Sequence, residues 1–302
     1  MDLKSKIILI YGPTASGKSL FAIKLAKKIN GEIINADSMQ VYKELKILSA
    51  RPFKKDYQKI KHHYYGFKNV KKNFSTGDWL KLVITKIVEI KKKKKIPILV
   101  GGTGLYFKAI TEGLVKIPNI PLRLRNKVRS MHKRIGPKNF FSKLVKLDPM
   151  VINNIKPSDT QRVIRAYEIK LFTKKSMYEW FKSTKSEYEQ KDFYKIYIDH
   201  PRNALVKRIN SRAYDMIKKG AILEVKKFFK LKVPKNKTAH KAIGINEIKD
   251  YLNKKILINE LIEKISIKTR QYAKRQTTWG RGNMQNWNKF NLDKLNKFLK
   301  KF

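Results

Sequence analysis

With 302 residues, 42% of them apolar, the chain can bury one large core plus a second, smaller lobe. Its 71 Lys and Arg against 23 Asp and Glu leave a formal charge of +48, which repels itself unless a polyanion such as nucleic acid is a regular partner; the crowding of Ile, Asn and Phe beside Lys marks an AT-rich coding bias, so arginines carry more information than lysines. The absence of Cys excludes a disulfide framework, thiolate zinc sites and cysteine catalysis, and with no long apolar stretch the expectation is a soluble, cytoplasmic protein with no membrane association, monomeric by default.

Along the chain, Ile7 to Tyr11 reads as a buried strand, Gly12 to Ser19 as a glycine-containing loop and Leu20 to Ile29 as a helix. Glu32 to Asn35 is a second strand. An amphipathic helix from near Trp79 to the Lys91–Lys95 run delivers a third, Ile96 to Val100. Alternating strands and helices predict a parallel sheet. Between Pro118 and about Gln190 the strand signal disappears and helical patterns with frequent Pro and Arg take over, as in an inserted lobe. A strand resumes at Tyr194–Asp199, helices follow at 202–218, 223–229 and 261–279, and the tail beyond Gly282 is polar and poorly patterned. The predicted fold is α/β: a P-loop NTPase-like core with a parallel sheet flanked by helices, in residues 1–117 and 193–302, and an inserted helical lobe in 118–192. No internal repeat is present.

Gly12-Pro13-Thr14-Ala15-Ser16-Gly17-Lys18-Ser19 fills the P-loop pattern in the context its mechanism needs, after a strand and before a helix. Its backbone N–H groups and the helix N-terminus suit a diphosphate or triphosphate. Lys18 adds a point charge on the phosphates, and Ser19 a hydroxyl for Mg²⁺. A bare glycine-rich turn is the alternative. An ordinary NTPase also needs a magnesium-holding acid at the end of another strand, yet Ile96–Val100 runs into Gly101-Gly102-Thr103-Gly104. Asp37, after the second strand, is placed either for chemistry or as a helix N-cap before Met39–Tyr42; spacing alone does not decide.

Taken with Asp37-Ser38-Met39-Gln40-Val41-Tyr42, Gly101 to Tyr106, Asp148-Pro149, Asp159 to Glu168, Ala242-Ile243-Gly244 and Thr269 to Gln276, the P-loop resembles the bacterial tRNA dimethylallyltransferase family, in that family's order over most of the first 280 residues. The resemblance implies transfer of a dimethylallyl group from dimethylallyl diphosphate to the N6 amine of the adenosine just 3′ of the anticodon, in tRNAs reading codons that begin with U. It implies Asp37 as general base, Thr103 near the amine and diphosphate, Arg212 stabilising the leaving diphosphate, and Mg²⁺ as cofactor. Asp37, Ser38, Met39, Gln40 and Thr103, with Gln161, Arg162, Val163, Ile164 and Arg165 and further Arg125, are its implied contacts to the tRNA anticodon stem-loop. The sequence departs from the family at Leu48-Ser49-Ala50-Arg51-Pro52 (usually Gly-Thr-Ala-Lys-Pro), at Ile245 (often Tyr) and at Gly280 (expected aromatic).

The adenine amine is a weak nucleophile, so the electrophile must be activated, and an allylic diphosphate ionises readily where cations and amides receive the leaving charge. The base must also leave its stack. Gln161 and Arg165 lie one helical turn apart, with Arg162 beside them, while Val163, Ala166 and Tyr167 can face the protein. His62-His63 reads as a structural pair, the Tyr272, Gln276, Trp279 stripe as packing, and Lys91–Lys95 as a solvated helix end. The competing functions are a kinase or NTPase, and a non-enzymatic RNA-binding protein that would leave the P-loop and Asp37 unexplained.

Overall fold

A computed structural model describes residues 3–302, and among them the chain forms two compact units: a larger one up to Thr111 and again from Tyr188, and a smaller one, Glu112–Glu187. The division thus falls at 112 and 188, some five residues ahead of the positions expected from Pro118 and the return to strand pattern, the first of them at the end of the helix Gly104–Glu112.

In the larger unit, β1 (Ile7–Tyr11), α1 (Lys18–Lys28), β2 (Gly31–Asn35), β3 (His62–His63), α2 (Thr76–Lys92), β4 (Ile96–Gly101) and α3 (Gly104–Glu112) come first. The smaller unit holds α4 (Leu122–Leu147), α5 (Thr160–Thr173) and α6 (Met177–Lys182). The larger unit resumes with β5 (Phe193–Ile198), α7 (Arg202–Lys218), α8 (Ala221–Lys230), α9 (Ile245–Leu252), α10 (Ile258–Asn283), β6 (Asn288–Phe290) and α11 (Leu292–Leu299). The sheet order is β3-β2-β4-β1-β5-β6, every pairing parallel.

β1, β2 and β4 are buried along their whole length, as strands covered on both faces must be. One layer packs Phe21, Ala22 and Leu25 of α1 against the sheet; the other packs Trp79, Val83 and Ile87 of α2 with Phe107 and Ile110 of α3. α2 starts at Ser75, which forms a capping box with Asp78.

The tail, polar and poorly patterned in sequence, is not without regular elements: β6 adds the edge strand beside β5, and Phe298 of α11 lies against Phe21 and stacks on Tyr194 at 5.5 Å and 12°. Nor is Lys91–Lys95 uniformly solvated. Lys91 Nζ donates to Ser5 O at 3.1 Å and Lys95 Nζ to Glu32 Oε1 at 3.0 Å, leaving Lys92, Lys93 and Lys94 exposed. The paired histidines are structural: His63 Nε2 lies 2.7 Å from Glu32 Oε2, and His62 stacks on Tyr57 at 3.9 Å.

In the helical unit, α4 breaks at Gly136-Pro137, where Gly136 takes φ 77°, since Pro137 removes a helical donor and disfavours the α region before it. α5 packs Val163, Ala166 and Ile169 against Phe140 and Leu144 of α4.

Candidate active site

The carboxyl ends of β1, β2 and β4 point the P-loop, Asp37 and Thr103 toward one end of the sheet, the place where parallel α/β sheets bind ligands. The loop from Gly12 reaches α1 through Ala15 (φ 65°) and Gly17 (φ 85°), alternating backbone signs that turn successive amides into a concave nest. Two of its donors are committed within the protein, contrary to a loop whose amides all face the ligand: Thr14 N–H goes to Gln276 Oε1 at 2.8 Å and Ser16 N–H to Pro13 O at 3.3 Å. The first turn of α1 supplies the unpaired amides.

A cavity of about 560 Å³ brings together Thr14 to Ser19, Asp37 to Gln40, Arg212, Tyr272 and Arg275. Lys18 Nζ donates to Pro13 O at 3.1 Å. Burial pushes its ammonium down from 10.5 to about 8, Asp37 pulling the other way and Arg212 adding to the fall. Arg212 Nη1 donates to Thr14 Oγ1 at 3.2 Å, and burial and Arg208 hold its pKa below the usual value. The same helix, α7, sends Arg208 Nη1 to Ala15 O at 3.3 Å, an interaction the sequence did not single out.

Asp37 turns out to cap and to line the cavity at once. Its Oδ1 accepts from Met39 N at 2.9 Å and Gln40 N at 3.4 Å, but the segment after it is a turn rather than the expected helix. Oδ2 takes no part in these bonds. Buried Asn35 fixes the backbone of Asp37 from both sides, accepting from its N at 2.9 Å and donating to its O at 3.0 Å, while Trp79 Nε1 holds Asn35 O at 2.8 Å. Thr103 does not line the cavity. Its Oγ1 accepts from Ser38 N at 2.9 Å and donates to Ser38 Oγ at 3.2 Å, tying β4 to the Asp37 segment.

The glycines after β4 are close-approach positions. A Cβ on Gly101 would stand 2.0 Å from Ala36 O, and one on Gly102 would stand 2.1 Å from Gln276 Nε2. At Gly101 the obstacle is backbone, so no magnesium-holding acid fits at that position. Gln276, read as packing, donates instead to Gly102 O at 2.9 Å while accepting from Thr14 N, so it joins two loops of the site.

Two of the departures from the family pattern, Leu48 and Gly280, have packing partners. Leu48 lies over Gly244, where a Cβ would be 2.5 Å from Leu48 Cδ2, and Gly280 makes room for Tyr11 and Tyr197, at 2.8 and 3.2 Å from a Cβ there. Glu224 of α8 accepts from the backbone of Lys46, Ile47 and Leu48 at 2.8 to 3.0 Å, and Gln40 Nε2 donates to Ser49 O at 3.0 Å; both hold the loop that carries Leu48 to Pro52.

For Mg²⁺, the donors present are the Ser19 hydroxyl and the Asp37 carboxylate, with no cluster of three His, Cys, Asp or Glu among the described residues. A hydroxyl plus ligand phosphates is the sparse, all-oxygen set this ion takes in P-loops, so the residues fit it.

In the helical unit, Gln161 and Arg162 are exposed and Arg165 is half-buried. Arg162 Nε pairs with Asp159, the N-cap of α5, at 3.3 Å. With Asn154, Lys156 and Ser158 they border a hollow of about 740 Å³. Val163 is 1% exposed and Ile164 packs on the same core, so the Val163 side chain is withheld from any RNA. Arg125 lies beside Glu168, 3.9 Å from its carboxylate.

A doubly covered parallel sheet with a filled P-loop, a fixed carboxylate across the cavity and paired arginines on α7 defines a P-loop enzyme that acts at a phosphate-bearing substrate. The chain belongs to the IPP transferase family, whose pattern matches residues 40–283. It is 60% identical over 301 residues to the tRNA dimethylallyltransferase of Pelagibacter ubique (100% of this chain, 96% of that one) and 44% identical over 284 residues to that of Rickettsia massiliae (93% and 78%). Among solved structures it is similar to a tRNA isopentenylpyrophosphate transferase from Bacillus halodurans (TM-score 0.70, 33% identity, 98% of this chain and 95% of that one). It is also similar to a eukaryotic dimethylallyltransferase captured acting on tRNA (TM-score 0.82, 29% identity, 95% and 73%).

Proposed function

We propose that the chain is a tRNA dimethylallyltransferase that moves a dimethylallyl group from dimethylallyl diphosphate to the N6 amine of the adenosine 3′ of the anticodon, in tRNAs reading codons that begin with U, and releases diphosphate. The observation that carries it is the single cavity in which the P-loop, Lys18 and Arg212 face Asp37. The first three suit a leaving diphosphate. Asp37 suits an incoming amine.

The P-loop amides at the start of α1, Lys18 and Arg212 receive the charge that collects on diphosphate as the allylic carbon–oxygen bond breaks. The amine lone pair forms the new carbon–nitrogen bond, and its proton passes to Asp37, whose Oδ2 is not taken up by the turn. Thr103 keeps Ser38, and through it Asp37, in register with the end of β4. Ser19 would hold Mg²⁺ arriving with the diphosphate, which when bound lowers the charge those oxygens carry. The arginine-bearing face of α5, with Gln161, Arg162 and Arg165, grips the anticodon stem-loop. The protein works as a monomer in the cytoplasm, where its tRNA is found; among the described residues no helix is long and apolar enough to cross a membrane.

The test is incubation of unmodified tRNA with dimethylallyl diphosphate and Mg²⁺, followed by mass spectrometry of the anticodon fragment. The expected result is a gain of one prenyl unit on that adenosine. No gain, together with sustained ATP hydrolysis, would instead make the chain a nucleotide-using enzyme.

A further inference from the structure

The helical unit buries one carboxylate beneath three cations. Glu168, on α5, has a side chain 3% exposed. Arg125 Nε stands 3.9 Å from its Oε2 and Arg129 Nε 3.7 Å from its Oε1, both from α4, and Arg165 Nη1 stands 3.4 Å from Oε2, from one turn earlier on α5. A buried carboxylate kept for stability alone is best served by one short, two-pronged arginine pair. Here three guanidinium groups share one anion and none grips it closely. Glu168 Oε1 and Arg125 Nε are buried and make no hydrogen bond among the described residues. The arginine side chains remain 33%, 56% and 36% exposed for Arg125, Arg129 and Arg165.

We propose that Glu168 is a positioning residue that gathers Arg125, Arg129 and Arg165 into one clamp for RNA phosphate, and that Arg129 therefore belongs with the RNA-contacting residues. This rests on the reading of the helical unit as the part that grips tRNA. The chemistry is that of a shared counter-ion. Three guanidinium groups repel one another, and a carboxylate among them lets them stand close while each keeps outward N–H groups for a phosphate. Side chains ordered before binding lose less freedom when the phosphate arrives.

Charge counting and positioning predict opposite results for Glu168→Gln, which keeps the volume and adds one net positive charge. Steady-state prenyl transfer and tRNA binding over a salt series, on the full chain, decide between them. Positioning predicts that Glu168→Gln raises KM for tRNA about tenfold, the scale of one charge-assisted hydrogen bond, with kcat within twofold and a shallower salt slope. Arg129→Ala should do the same. Tighter or unchanged tRNA binding by Glu168→Gln overturns the proposal, as does an unchanged KM in Arg129→Ala, a variant at an exposed position that also decides the matter should Glu168→Gln fail to fold by circular dichroism. If Arg125→Ala and Arg165→Ala weaken binding while Glu168→Gln and Arg129→Ala do not, positioning fails and the tRNA-gripping reading stands. If none of the four matters, that reading itself is wrong.

Discussion

Because both hydrogen bonds that Asp37 accepts fall on Oδ1, substitution can separate its two duties. Asp37→Asn keeps an acceptor for the turn but cannot take a proton, so prenyl transfer should fall about 10²- to 10⁴-fold with tRNA affinity retained. Asp37→Ala should add a loss of about 1 kcal/mol of stability for the abandoned turn bonds, visible as a lower melting temperature in the alanine variant only. Lys18 offers a pH test. Its folded pKa, about 8, lies below its ordinary 10.5, so the charged form opposes folding in full below pH 8, and that cost disappears as pH rises from about 8 to 10.5. Bound diphosphate restores the charge. Affinity for inorganic diphosphate should therefore be greatest below pH 8 and drop toward tenfold per pH unit above it, as binding comes to require proton uptake. Calorimetric titration from pH 7 to 10 checks this against Lys18→Met, which shares the ligand's own titration; equal slopes would remove Lys18 from the phosphate site.

At the scale of elements, α10 governs the site through one buried amide. Gln276→Ala frees Thr14 N–H and Gly102 O together, and should raise KM for the prenyl donor by about ten- to a hundredfold. Gly102→Ala should push the Gln276 amide aside, since its Cβ would stand 2.1 Å from Gln276 Nε2, and so raise the donor KM as Gln276→Ala does; pairing it with Gln276→Ala should add little further loss, as thermal melts and donor kinetics would show. Such coupling explains what the sequence could and could not reveal. The P-loop was legible because its glycines and lysine are dictated by local backbone shape and charge. Gln276 and Arg208 were not, because a polar residue on a helix stripe looks the same whether it meets solvent or a loop some 260 residues away, as Gln276 meets Thr14. The tail escaped for a related reason: β6 spans only Asn288–Phe290, two of its three residues polar, so its strand character comes from pairing with β5 and not from its own pattern.

For the whole molecule, the charge of +48 raises the question of whether RNA is held by particular arginines or by a diffuse field. Lys92, Lys93 and Lys94, the solvated part of their run, supply the comparison. Replacing two of them should leave tRNA affinity nearly unchanged at physiological salt, whereas Arg165→Ala should flatten the salt dependence by about one unit for each phosphate left unneutralised. Equal losses in both variants would assign binding to overall charge.

One hydrogen bond has a bearing on how the chain is assembled. Thr111, where the chain leaves the larger unit, accepts from Gln190 Nε2 just after its return, at 2.8 Å. The exit and the return are thus stapled side by side within the core, so residues 112–187 amount to a parenthesis that a few glycines could replace, as insertions between neighbouring termini commonly permit. A chain shortened in this way should melt as a single cooperative unit and still gain thermal stability from inorganic diphosphate, while its grip on tRNA disappears. The phosphate-binding half would then stand as a separable machine, with RNA choice carried as removable cargo.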